Sequence, residues 1–288
     1  MNSKHINANA PPGRMKNGNN NLKYIKRGIF MKKKIVSLLL AVVMLVGIIP
    51  LGAITAMAAE QQYPIKITGG ATYSDMIFDM SGKTVKHIFE ILDGDQKNYS
   101  VTFQNITFMN VSGTGDGSCV YINTNKSVWV YFINCRFINC SSTGNGGVVY
   151  VKNVGTGNEG GKPHVLFSGC YAVNCRAGGD GGFMYVNDAD TLAYGCGNTV
   201  ISGCYAGDDG GAIYMELGKQ IDGFLLSDNT ASSGDGGGIC NTSNSAAVSN
   251  CRFYRNYAKV DGGGLYTEGP TVETASYLKI AVAAKVTN

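Results

Sequence analysis

The chain has 288 residues, 40 of them Gly, and its 24 Lys and Arg against 20 Asp and Glu give a formal charge of +4. Nine of those basic residues, and none of the acidic ones, lie in residues 1–58, so from Ala59 onward 15 basic residues face 20 acidic ones, a net of −5. This excludes a basic tract for nucleic acid or an anionic membrane from the body of the chain, and scarcely a stretch shows the 3.6-residue period of a helix.

Residues 1–30 are Asn-rich, lack apolar periodicity and read as a non-structural extension. Met31-Lys32-Lys33-Lys34 then forms a basic n-region, Ile35 to Ile49 an unbroken apolar run, and Ala56-Met57-Ala58 a small-x-small cleavage pattern. Residues 31–58 are therefore expected to be a signal peptide, with Met31 as the true start. The apolar run is short for a membrane span. The expected product is secreted, extracellular or held at the cell surface, with no membrane segment after cleavage.

Residues 59–102 carry short apolar runs at Tyr63–Thr68, Met76–Met80, His87–Leu92 and Tyr99–Phe103, expected to be strands of N-terminal coils and their cap. From 103 to 268 a two-part repeat takes over. Its first half appears as Phe103-Gln-Asn-Ile-Thr-Phe108, Phe132-Ile-Asn-Cys-Arg-Phe137, Phe167-Ser-Gly-Cys-Tyr-Ala172, Ile201-Ser-Gly-Cys-Tyr-Ala206, Ile221-Asp-Gly-Phe-Leu-Leu226 and Val248-Ser-Asn-Cys-Arg-Phe253. Its second half starts at Asp116, Asn145, Asp180, Asp209, Asp235 and Asp261, at intervals of 29, 35, 29, 26 and 26 residues, and runs into Gly.

A strand-rich repeat of this length cannot bury its apolar face alone and must stack on its neighbours. The expected fold is all-β, a right-handed parallel β-helix with about three strands per coil. Equivalent positions then form columns: Ile106, Cys135, Cys170, Cys204, Phe224 and Cys251 in one, and Phe108, Phe137, Ala172, Ala206, Leu226 and Phe253 in another. Both are apolar, separated by a polar or aromatic residue, and are expected inside.

The segments Phe253-Tyr-Arg-Asn256-Tyr-Ala258 with Gly-Gly-Gly-Leu-Tyr266, and Asp209-Gly-Gly-Ala-Ile-Tyr214, resemble the F-x-x-N and G-G-A-[ILV] repeats of polymorphic outer-membrane proteins. More broadly the repeats are similar to right-handed parallel β-helix proteins of the pectate-lyase-like class, over roughly residues 100–268. The resemblance implies the fold and leaves the activity open, because the class holds enzymes, adhesins and scaffolds. Residues 269–288 are expected to be a C-terminal tail or a truncated further coil. End-to-end self-association through the last coil is expected if that end is left open.

The chemistry-bearing residues are sparse. Nine cysteines in an exported chain suggest disulfides, but most fall on inward columns whose side chains point the same way. Buried thiols are the expectation. The recurrent Asp could ligate calcium, yet Asn145 stands equally well in the same place and a turn role suits both. The tyrosines at 121, 150, 185, 214 and 266 recur at one position and suit sheet packing, or sugar binding if exposed. After the leader only His87 and His164 and four Arg remain, so no catalytic residue, metal site or cofactor is assigned. Two long links between repeat halves collect Glu159, Lys162, Asp188, Asp190 and Tyr194, which form the expected ligand-binding site. The expected role is an adhesin-like binding or structural display scaffold with glycans or cell-surface proteins as partners. The alternative is a polysaccharide lyase or hydrolase on the same fold.

Overall fold

The computed structural model describes residues 62–152 and 162–268 of the chain. The expected leader, Glu159 and the tail 269–288 lie outside these residues. Every regular element described is a strand, and the strands form four parallel sheets, A to D, of eight, seven, seven and seven members. One coil shows the pattern: Val120–Asn123 in A, Ser127–Ile133 in B, Arg136–Ile138 in C, Ser141–Ser142 in D, and Val149–Val151 beginning the next coil in A. The chain is a parallel β-solenoid. Three faces were foreseen; the fourth consists of two-residue strands that the corners leave room for.

Those corners explain the Asn content. Asn134 and Asn139, on either side of Arg136–Ile138, have φ of 52° and 53°, the left-handed conformation that Asn tolerates and branched residues do not. Asn105, Asn110, Asn174, Asn198 and Asn250 sit at the same two corners of other coils, also with positive φ. Asn134 Nδ2 donates to Asn105 Oδ1 at 3.4 Å, and Asn105 Nδ2 to Asp75 Oδ1 at 2.9 Å, so the corners are tied coil to coil. The third corner uses glycine. At Gly181 (φ 65°) an added Cβ would lie 2.3 Å from the Met184 carbonyl oxygen.

The recurrent Asp precedes this glycine and does more than start a turn. Asp116 Oδ1 accepts the Asn145 amide at 2.8 Å, Asn145 Oδ1 the Asp180 amide at 2.9 Å, and Asp180 Oδ1 the Asp209 amide at 3.0 Å. Asp209 and Asp235 continue the series to Asp235 and Asp261. Each of these side chains therefore holds the backbone of the next coil, a role beyond that of starting a turn. One oxygen of each member from Asp116 to Asp235 is engaged in this way.

The core is a set of stacked columns. Phe103, Phe132 and Phe167 in sheet B stack at 5.1 and 4.8 Å, Phe108 and Phe137 in sheet C at 5.3 Å, and Phe132 meets Phe137 edge to face at 5.6 Å. All are fully buried, and each such side chain contributes roughly 1.5–3 kcal/mol of transfer free energy.

Register corrects two expected columns. Val200–Ser202 pairs with Tyr171–Val173, which places Thr199 beside Cys170 and Ile201 beside Ala172. Tyr205–Ala206 pairs with Arg176–Ala177, so Cys204 follows Cys175 and Ala206 follows Ala177. The sequence Gly203-Cys204-Tyr-Ala copies Gly169-Cys170-Tyr-Ala but occupies the second corner of its coil, five residues later. The burial assignment holds: eight of the nine cysteines are buried, none is in a disulfide, and Cys196 is the exposed one.

Two outcomes follow. A thiol reagent added to the native full chain should modify Cys196 rapidly and the other eight only after denaturation, and Cys204→Asp should unfold the neighbouring coils by placing a charge in the core. Rapid native labelling of several thiols would refute the inward columns. The second concerns Asp180, whose pKa is pushed up to about 6 by burial and by the nearby Asp209, Asp208 and Glu216. A raised carboxyl pKa makes its contribution to stability greatest below about pH 4 and lost as pH rises through about 6. Asp180→Asn keeps the acceptor, as Asn145 shows, and should gain about 1 kcal/mol at pH 7 relative to pH 4 after allowance for solvent screening. Denaturant melts of both forms at the two pH values measure it.

Candidate functional site

The outward face of sheet B differs from the others. On Ser127–Ile133, alternation sends Val128, Val130 and Phe132 into the core and leaves Trp129 and Tyr131 on the outer surface. In register beside Trp129 stands His164, and beside Tyr131 stand Leu166 and then Tyr194 on Leu192–Cys196. Trp129 is the single tryptophan of the chain. Its ring lies 4.6 Å from that of His164, 5.9 Å from Tyr131 and 6.4 Å from Tyr194, and the two tyrosine planes are within 13° and 5° of its own.

Polar side chains border this aromatic block on both sides. Ser100 and Thr102 lie on the preceding strand, Gln220 and Asp222 on the following one, and Ser249 beyond. Tyr194 reaches across to donate to Gln220 Oε1 at 3.2 Å. An apolar centre with a polar rim is the anatomy of a recognition surface.

At the leading edge of the block the structure gathers most of the expected site. Lys162 Nζ is 3.9 Å from Asp188 Oδ1 and 3.8 Å from Asp190 Oδ2, and Lys219 Nζ is 3.5 Å from Asp190 Oδ1. Asp188 is buried and Asp190 half-exposed. Burial pushes the Asp188 carboxyl pKa up, and Lys162 works against that shift. Asp188 Oδ1 also accepts the Asp190 amide at 3.4 Å, closing a turn that leads into Leu192–Cys196. Lys162, Asp188 and Asp190 thus meet at one edge. Tyr194 lies further along the strand they lead into, against Trp129 and Gln220, and Glu159 falls outside the described residues. The second of the two long links contains this sheet B strand.

The sequence reading missed Trp129, Tyr131, His164 and Lys219. The signal was present in Ser127-Val-Trp-Val-Tyr-Phe-Ile133, where an inward Phe132 forces Trp129 and Tyr131 to the same outer side.

The tyrosine column of sheet A has a different character. Tyr121, Tyr150, Tyr185 and Tyr214 stack in sequence at 5.3, 5.0 and 5.1 Å with planes 4° to 18° apart, and His87 stacks on Tyr121 at 5.0 Å. The ring faces are occupied by one another. Tyr185 donates to the Glu216 carboxylate, which also accepts from Asn187 Nδ2 at 2.6 Å. Desolvation carries the Tyr150 and Tyr214 phenols up to about 12. This column packs coil on coil.

No family model matches the chain, and no curated protein or solved structure is significantly similar to it. Among the described residues no group of three or more His, Cys, Asp or Glu is arranged to hold a metal ion, and no helix is long and apolar enough to cross a membrane.

Proposed function

We propose that this solenoid is an exported, surface-acting binding scaffold of adhesin-like type whose sheet B face contacts glycans. The observation that carries the reading is the set of outward rings of Trp129, Tyr131 and Tyr194 with nearly parallel planes, bordered by Gln220, Asp222, Lys219 and Asp190. The electron-rich face of an aromatic ring suits the polarised C–H face of a pyranose, and rim donors and acceptors fix the hydroxyls. The basic and apolar leader at residues 31–58 supports export. The pectate-lyase-like resemblance supports a carbohydrate partner and no more.

The lyase alternative is less well served. Such an enzyme needs carboxylates converging on a cation beside a free base. Here Asp188 and Asp190 face Lys162 and Lys219 instead, and the column carboxylates of Asp116, Asp180, Asp209 and Asp235 each hold a backbone amide.

The test is a glycan array probed with the full chain and with Trp129→Ala and Tyr194→Ala. Both positions are outward, so the variants should keep the wild-type thiol protection and β-sheet circular dichroism. Loss of a central ring should weaken binding by about 30-fold. Unchanged binding in folded variants would sink the proposal.

A further inference from the structure

We infer that His164 is a proton switch on the sheet B face: as a neutral ring it anchors the start of Leu192–Cys196, and on protonation it releases that edge and weakens attachment. The structural half stands on geometry alone; the attachment half rests on the binding reading above.

The Leu192 amide donates to His164 Nδ1 at 3.2 Å. Nδ1 therefore carries a lone pair, and the ring proton sits on Nε2. A second proton can only go to Nδ1, which turns the acceptor into a donor facing a donor. The Leu192 hydrogen bond is then lost and two N–H groups oppose each other, so ring or strand must move. Leu192 opens its strand, and the residues just before it carry the Asp190 edge. The Thr191 carbonyl of that edge in turn accepts the Lys219 amide at 2.9 Å. A disturbance at Nδ1 thus reaches Asp190, Leu192, Lys219 and, two residues on, Tyr194.

The charges around the ring sit on the segments that lead into three neighbouring strands. Lys162 stands two residues before it, with Asp188 at 3.9 Å from its Nζ, Asp190 lies on the next coil and Lys219 on the one after. On the preceding coil Trp129 is in register with the ring, and Lys126 leads into that strand. Asp190 favours the imidazolium and Lys219 opposes it, while Asp190 is itself shared between the two lysines at 3.8 and 3.5 Å. Burial is the largest influence and holds the ring neutral further into acid than an ordinary histidine. Trp129, 4.6 Å away, is placed to report the change. The other described histidine, His87, is buried against Tyr121 on sheet A.

The experiment follows Trp129 fluorescence of the full chain from pH 8 to 4.5, with amide exchange at Leu192. A single quenching step is expected with a midpoint below about 6.5. Exchange at Leu192, corrected for its intrinsic pH dependence, should be about tenfold faster at pH 5 than at pH 7.5. His164→Gln offers an amide oxygen to Leu192 without titrating and should flatten the fluorescence profile, whereas His87→Gln should keep the step. A step that survives His164→Gln, or Leu192 exchange equal at both pH values in the wild type, overturns the switch. Glycan-array binding at the same two pH values separates the ideas. Equal binding at both overturns the gating, and no binding at either overturns the glycan reading while fluorescence and exchange still judge His164.

Discussion

Parallel, in-register stacking places each residue about 4.8 Å from its equivalent in the next coil, and the rest of the structure answers to that spacing. A side chain in such an array has its own counterpart as nearest neighbour. Phenylalanine tolerates this because the rings can stack in offset fashion, and the Phe103–Phe132–Phe167 column does so at 5.1 and 4.8 Å. Asparagine tolerates it because its amide is both donor and acceptor, so Asn105, Asn134 and their equivalents bridge coils while also taking the left-handed corner. Carboxylates tolerate it least. The Asp column persists because one oxygen of each carboxylate from Asp116 to Asp235 captures the amide of the coil that follows. Burial first, and repulsion from neighbouring Asp second, raise the pKa values of Asp180 and Asp209.

The same spacing decides what the cysteines are for. Cys140, Cys175 and Cys204 occupy one column on three successive coils. Their thiols lie near main-chain carbonyls of their own or the preceding coil, as Cys175 Sγ does to Phe137 O at 3.6 Å. Parallel side chains turn their sulfurs the same way, so proximity does not become a bond. Over these coils the column behaves as a small apolar one, consistent with the buried Ala177 and Ala206 two residues after Cys175 and Cys204.

Periodicity made the solenoid legible in the sequence, and it also set the limit of what could be read. The Asp-Gly intervals and the alternation around Phe137 and Phe253 place the coils and their inward faces. They do not separate two corners that use the same residue types five positions apart, which is why Cys204 and Ala206 fall in a different column from the one their local sequence suggests. Only pairing with a neighbour distinguishes them. Once Val200–Ser202 is set against Tyr171–Val173, the long link before it resolves into the strand Leu192–Cys196. The approach of Lys162 to Asp188 and Asp190 was visible as two neighbouring long links. Trp129, on the coil before, was not, because it lies in a regular strand and no insertion marks it.

A repeat fold also supplies its own criterion for where function lies. Where a column keeps one residue type, stacking accounts for it: the tyrosines of sheet A contact each other face to face, and their conformity needs no ligand. The outer column of sheet B reads Ser100, Trp129, His164, Leu192, Gln220, Ala247 from coil to coil. No two adjacent members match, so like-on-like stacking explains none of them. Beside it Thr102, Tyr131, Leu166, Tyr194, Asp222 and Ser249 are as varied. Side chains of such different volume on one flat surface produce relief, with large rings in the middle coils and small polar groups on either side. Relief of that kind gives shape to bind against, and on this molecule it coincides with the Lys162–Asp190–Lys219 edge and with His164, whose hydrogen bond to the Leu192 amide depends on its charge.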